Sequence, residues 1–381
     1  MKHEAALTRK QHRFAVLVFF FVVGLCFASW ASRIPDLKNK FHLSDGGLGA
    51  LLFVLPVGSM LSMPLSAFLV GKYGSKKVVL AATILYPLLL IPISLVTAVW
   101  QLVPFVLFFG MLGNLCNISI NTQAVGVEAL YGRSIMASFH GTWSLAGFTG
   151  AAVGAAMVSA HIIPFVHYCI VVTSLVVMVA AVQAKALQKD HKHPGQRHFA
   201  VPDGALLRLG FIAFSSMVCE GTMFDWSGVY FQKVVAAPAE KVTLGYAAFM
   251  ATMAGGRFLG DKLVGRFGKQ RVLQASGVVI TSGLLLAVLF PNMYTATLGF
   301  LLVGIGVSSV VPLVYSSAGK SKKLSPGLAL TAVSSIGFLG FLVGPPLIGF
   351  IAQAFNLRWS FTLIALLGMG TTVLSTYMEW D

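Results

Sequence analysis

Long apolar runs without a formal charge constrain this chain more than any motif does. Segments 78–127, 134–184 and 272–319 contain no Asp, Glu, Lys or Arg. One helical crossing of a bilayer takes about 20 apolar residues, so each run has room for two. Turn signals divide them near residues 100–101, 161–164 and 291–292. Segments 14–32 and 46–71 are single runs, and 209–231 and 242–265 are single crossings interrupted by ionisable residues. Segment 324–357 is one crossing with a turn, and 359–378 is another, giving twelve spans in all. Backbone groups in lipid must bond within their own segment, so the spans are helices. The expected fold class is an all-α polytopic membrane protein with twelve transmembrane helices.

Composition agrees: 57% of residues are hydrophobic and only 10% are charged. A soluble domain carries about 25% charged residues. The net charge of +15 does not point to nucleic acid. No basic run is interleaved with stacking aromatics, and the cations fall in short clusters between apolar runs. These clusters lie at residues 2–13, 72–77, 133, 185–208, 262–271 and 320–323. The alternate connections hold only Arg33, Lys38, Lys40, Lys233, Lys241 and Arg358. Basic loops stay in the cytoplasm, so both termini are expected there. The basic N-terminus and first span also fit a secretory signal, but the charge pattern requires this span to remain.

All four cysteines fall within spans, which implies no disulfide framework. "VYSSAGKS" at 314–321 misses a phosphate-binding loop, since Val314 replaces its first glycine and it follows a span rather than a strand. No catalytic motif or cofactor motif is present, so an enzyme is not expected. The histidines of the polar, basic segment 186–204 suit a solvated linker better than a metal site.

The chain repeats internally. "AFLVGKYGSKKVVL" at 67–80 aligns with "DKLVGRFGKQRVLQ" at 261–274. "ASWASRIP" at 28–35 aligns with "FDWSGVYF" at 224–231 and pairs Trp30 with Trp226. Two parallel six-helix bundles are expected, 1–185 and 205–381, joined by the linker 186–204.

The duplicated G-[KR]-[YF]-G loop after spans 2 and 8 resembles the signature of the major facilitator superfamily. It matches at Lys72, Gly74, Lys76, Arg266, Gly268 and Arg271. It departs where the signature's acid would stand, which here are Gly71 and Gly265. Asp261 lies one turn earlier in the second copy, with Arg257 four residues before it. "ASWASRIP", "EGTMFDW" and "GFLGFLVGPPLIG" at 337–349 are similar to a bacterial subgroup that includes the membrane protein of rhizopine catabolism, near the fucose permeases. The resemblance implies alternating access, with spans 1, 4, 7 and 10 lining a central cavity. It also implies a cytoplasmic gate at Lys72, Gly74, Arg257, Asp261, Arg266 and Gly268.

The candidate site residues follow. Span 7 carries Glu220 and Asp225. An ionised side chain at the bilayer centre costs about 2.5–3.5 kcal/mol, and a bound proton removes the charge. Glu220, with no cation read at its depth, is the expected proton carrier. Asp225, about 7.5 Å further along at ~1.5 Å per residue, is expected to pair with Arg33, either as an outer gate or substrate clamp or as a structural salt bridge. Asn114, Asn117 and Asn121 share one face of span 4, either lining the cavity or bonding between helices. Trp30 and Trp226 either form an interfacial belt or stack on a bound ring. His140 and Trp143 of span 5 complete the set.

The expected function is secondary transport of a small polar solute, sugar- or polyol-like by the resemblance, by proton symport. Its partners are the solute, protons and the lipid bilayer, without nucleic acid, and a monomer is expected. An exporter is the alternative; its helix 5 glycine-proline pair is missing from "TGAAVGAAM". A membrane sensor without net flux is the alternative from another class.

Overall fold

The computed structural model describes residues 8–131, 135–188, 203–318 and 326–378, with 321 and 324. Among them, helices account for nearly all residues. They are α1 Arg9–Ala31, α2 Asp45–Tyr73, α3 Ser75–Leu95, α4 Val99–Tyr131, α5 Met136–Ser159 and α6 Pro164–Val182. They continue as α7 Gly204–Lys233, α8 Leu244–Phe267, α9 Lys269–Leu289, α10 Met293–Ala318, α11 Pro326–Ala354 and α12 Leu357–Thr376. A short helix, Ile34–Lys40, lies in the connection between α1 and α2.

The helix breaks have local causes. α3 is interrupted at Leu89 and α10 at Ser309. Pro92 and Pro312 stand four residues after Leu88 and Ser308. A proline offers no N–H to the carbonyl four residues back, and its ring crowds that carbonyl. The α3–α4 connection falls at residues 96–98, a few residues before the position expected from Trp100 and Gln101. There Gln101 Oε1 accepts from the N–H groups of Thr97 and Ala98 and starts α4. The break at α9–α10 is closed by Asn292, whose side chain accepts from Tyr294 and Thr295.

By contact density the chain divides into two compact units. The first comprises Met1–Trp30, Val54–Met157 and Ile162–Lys192. The second comprises Ala31–Phe53, Val158–His161 and His193–Asp381. The connection between α1 and α2 therefore groups with the C-terminal helices.

Within the first unit, Gly110 of α4 lies against the carbonyl of Leu55 in α2, and a Cβ there would overlap it. Ser59 donates to the Gly110 carbonyl at 3.0 Å. Tyr86 stacks on Phe109 with centroids 4.3 Å apart, and Trp30 packs on the same ring. Within the second unit, Gly304 of α10 lies against the carbonyl of Phe249 in α8. Thr252 donates across the same seam to Leu301 at 2.7 Å. Tyr230, Phe300 and Phe361 form the aromatic centre between α7, α10 and α12.

The internal repeat is thus visible in three dimensions. Leu55 and Gly110 occupy the same repeat positions as Phe249 and Gly304. Gly74 and Gly268 match as well, with φ of 82° and 80°. Both have ψ near 150°, a region open essentially to glycine alone. That conformation ends one helix and starts the next without a longer loop.

Candidate functional site

α7 is the helix to build from. Asp203 caps its start by accepting from the Leu206 N–H at 2.9 Å. It packs against α8, α11, α12 and the second segment of α10. Its middle is buried on all sides, including Glu220 at 5% exposure. Such burial explains why its sequence is apolar nearly all round.

Glu220 Oε2 lies 3.6 Å from Nη2 of Arg257 on α8. The expectation of no cation at the depth of Glu220 is therefore corrected. Arg257 was read along its own helix, with Asp261 one turn away. Its side chain reaches Glu220 on α7, a direction that sequence spacing does not contain. The side chain of Asp261 lies outside the described residues, and so does its proposed pairing with Arg257. The second carboxylate oxygen, Glu220 Oε1, is buried without a hydrogen-bond partner among the described residues. So is the hydroxyl of Ser216, one turn earlier on α7.

The expected pairing of Asp225 with Arg33 is also corrected. Arg33 pairs with Asp36 at 3.3 Å. Arg33 sits at the N-cap of the short helix Ile34–Lys40, and Asp36 is in that helix's first turn. A partner three residues away needs little chain ordering to reach it. Asp225 is half-buried on α7 beside Phe224, whose ring meets Tyr246 of α8 edge-on at 6.4 Å.

A second ionic cluster centres on Asp45, at the start of α2. Its carboxylate accepts from Lys38 and, at 2.9 and 3.0 Å, from Lys233 at the end of α7. Lys38 is only 4% exposed, and its ammonium lies 6.0 Å from the ring centroid of Trp226. Beside it, Gln353 of α11 accepts from the Gly46 N–H at 2.9 Å and from Ser44. Sequence reasoning passed over Asp45, Lys38 and Lys233. An acid at the start of a span, seven residues after Lys38, was the available signal.

The remaining candidates separate. Trp30 and Trp226 are both fully buried in protein, so neither forms a lipid-facing belt. Asn114 donates to Ser62 at 3.0 Å and Ser66 at 3.3 Å, tying α4 to α2. Asn117 and Asn121 bond each other at 2.8 Å, and Asn117 is exposed. His140 is exposed and meets Phe20 of α1 edge-on at 5.2 Å. The backbone of Trp143 supports α1, because Gly24 lies against its carbonyl. Lys72, Gly74, Arg266 and Gly268 lie at the α2–α3 and α8–α9 corners, with Lys72 over the Phe68 and Tyr73 rings and Arg266 over Phe267. Among the described residues, no group of His, Cys, Asp and Glu could hold a metal ion.

The family model described as Major Facilitator Superfamily matches residues 16–325. An uncharacterised MFS-type transporter of Yersinia pestis is 33% identical over 348 residues, covering 91% of each chain. The membrane protein MosC of Rhizobium meliloti is 29% identical, covering 96% of this chain and 89% of its own. A solved bacterial homologue of the human lysosomal transporter Spinster, inward-facing and occupied, aligns with a TM-score of 0.75. It is 13% identical and covers 95% of both chains. A D-xylose–proton symporter aligns with a TM-score of 0.75 at 11% identity, covering 97% of both. These two likenesses are of fold.

Proposed function

Because the chain belongs to the Major Facilitator Superfamily of membrane transporters, we propose that it moves a small polar solute coupled to protons, with Glu220 as the proton-carrying acid. The observation that carries this reading is the Glu220–Arg257 pair inside α7 and α8. Two opposite charges with little exposure are tolerable together and expensive apart. When Glu220 takes a proton, its attraction to Arg257 falls away, and polar groups of a solute take the carboxylate's place beside the guanidinium. When the proton leaves, the pair re-forms and competes with the solute for Arg257. Proton binding and solute binding are thereby linked through one side chain, which is the requirement for coupling.

The Lys38–Asp45–Lys233 cluster has a different role in this reading. It fixes the α1–α2 connection to the C-terminal end of α7. Releasing it is the step that frees that connection. With the termini in the cytoplasm of a bacterial inner membrane, as the basic clusters suggest, this latch faces outward. The solute class is sugar- or polyol-like, following the resemblance, and both bundles act as one monomeric transporter.

A thermal-shift screen of sugars and polyols identifies the solute, since a bound ligand raises apparent stability by mass action. Proteoliposomes with an imposed pH gradient then separate coupling from binding. Glu220→Gln keeps solute binding and exchange but loses accumulation driven by the gradient. Accumulation by Glu220→Gln with the wild-type pH dependence would remove Glu220 from the coupling role.

A further inference from the structure

The start of α1 and the end of α4 line an open cavity of about 600 Å³ that none of the transport chemistry uses. It is lined by Arg9, Lys10, Arg13, Phe14, Leu17 and Tyr131. We propose that this cavity holds the headgroup phosphate of an anionic phospholipid, with the acyl chain descending over Phe14 and Leu17.

Charge is the first argument. Arg9, Lys10 and Arg13 have no carboxylate ion-pair partner among the described residues. Arg9 and Arg13 stand four apart on one helix face, where like charges repel. The guanidinium groups of both lie over the ring of Tyr131, at 5.1 and 5.6 Å from its centroid. That ring holds two cations side by side and leaves their N–H edges for an oxyanion. Arg13 Nε is buried and without a hydrogen-bond partner among the described residues, while its Nη2 donates to Ser138 at 3.2 Å. Guanidinium edges match phosphate oxygens in geometry as well as charge. A fourth cation is near, since Lys185, three residues past the end of α6, lies 5.7 Å from the Phe14 ring.

Position and polarity argue for a lipid over a soluble anion. The site lies where a membrane-spanning helix begins, at headgroup depth. The cationic rim continues into apolar surface along α1, with Phe14 about half exposed. A soluble phosphate uses only the rim, whereas a phospholipid uses both. Basic pockets between spans are a recognised setting for anionic headgroups.

Native mass spectrometry of the purified, delipidated full chain tests this. The probes are phosphatidylglycerol, phosphatidylcholine with the same acyl chains, and glycerol 3-phosphate as competitor. Phosphatidylglycerol is expected to bind about 10-fold more tightly than phosphatidylcholine or better. Arg9→Gln/Arg13→Gln should weaken phosphatidylglycerol roughly 10- to 30-fold. Lys76→Gln/Lys77→Gln, with the same change in net charge, should shift it less than about twofold. Equal binding of the two lipids, or equal loss in both double variants, overturns the site. Displacement of the lipid by glycerol 3-phosphate at matched concentration assigns the cavity to soluble anions and overturns the lipid reading. If the double glutamine variant does not fold, two single variants decide. Arg13→Lys should keep the preference for phosphatidylglycerol, and Phe14→Ala should weaken both lipids; the opposite pattern defeats the proposal.

Discussion

The two copies of the internal repeat share a backbone and differ in chemistry. Gly110 meets Leu55 as Gly304 meets Phe249, and Gly74 turns the chain as Gly268 does. Yet the repeat position that carries Arg257 in α8 carries Met63 in α2. α7 carries Glu220 and Asp225, while α1 has no carboxylate along its length. Duplication preserved what packing demands, namely glycine where two backbones approach and where φ is positive. It did not preserve the charges, because an apolar side chain fits the same place between helices. The buried ionic pair is present in one copy and absent from the other, while the helix packing is alike in both.

The strongest way to break this comparison is to make the second copy like the first. Arg257→Met leaves Glu220 buried without its partner, and breaking such a pair costs about 3–5 kcal/mol. The variant should lose a large part of its thermal stability and all gradient-driven transport. Glu220→Gln/Arg257→Met should recover most of the stability and none of the coupling. A single variant as stable as the wild type would show that the charges at 3.6 Å do not interact appreciably.

Packing should behave in the opposite way, with equal effects in both copies. Gly110→Ala and Gly304→Ala each push a methyl group into a facing helix. Overpacking of this kind costs about 1–3 kcal/mol. Unfolding in detergent should register similar losses for the two, and tolerance of one alone would show that the seams are not equivalent. Gly74→Ala and Gly268→Ala should follow at about 1 kcal/mol each, from backbone strain. At Gly268 nothing lies within 4 Å of an added Cβ, so strain is the whole effect there.

These contrasts also show what the sequence made legible. Charge-free runs and their turn residues locate helices, because the bilayer forces one secondary structure on them. The duplicated glycine loop places the repeat, since its positive φ restricts the residue type. The ionic partners were not legible. Arg257 has an acid four residues away on its own helix and another across the seam, and chain spacing favours the first. Whether it also reaches the second depends on how α8 is rotated against α7, and a helix apolar nearly all round leaves that rotation open. Arg33 shows the reverse error, since a distant acid was assigned to it while Asp36 lay three residues away. Asp45 was not legible because Lys233, the partner that ties it to α7, is far away in the chain and meets it only in the fold.

The smallest expected effect concerns the amide stripe of α4. Asn114 bonds Ser62 and Ser66 on α2, and its repeat counterpart is Ser308, which bonds its own helix at Ile305 and abuts Gly256. One copy joins the two helices by an amide, the other by close packing. Hydrogen bonds between membrane helices contribute about 0.6 kcal/mol on average, because the separated helices also find partners. Ser62 keeps a bond to the Ser59 carbonyl at 2.9 Å when the amide is removed. Asn114→Ala should therefore lower stability by about 1 kcal/mol at most and leave solute affinity unchanged. Asn117 and Asn121 bond each other on the exposed side of the helix, so Asn117→Ala should change stability by no more than about 0.5 kcal/mol. If that face lines the transport path, the same substitution weakens solute binding. Thermal unfolding with and without solute measures both quantities on the same samples. A loss of affinity in Asn114→Ala with unchanged stability would move that amide from helix packing to the solute.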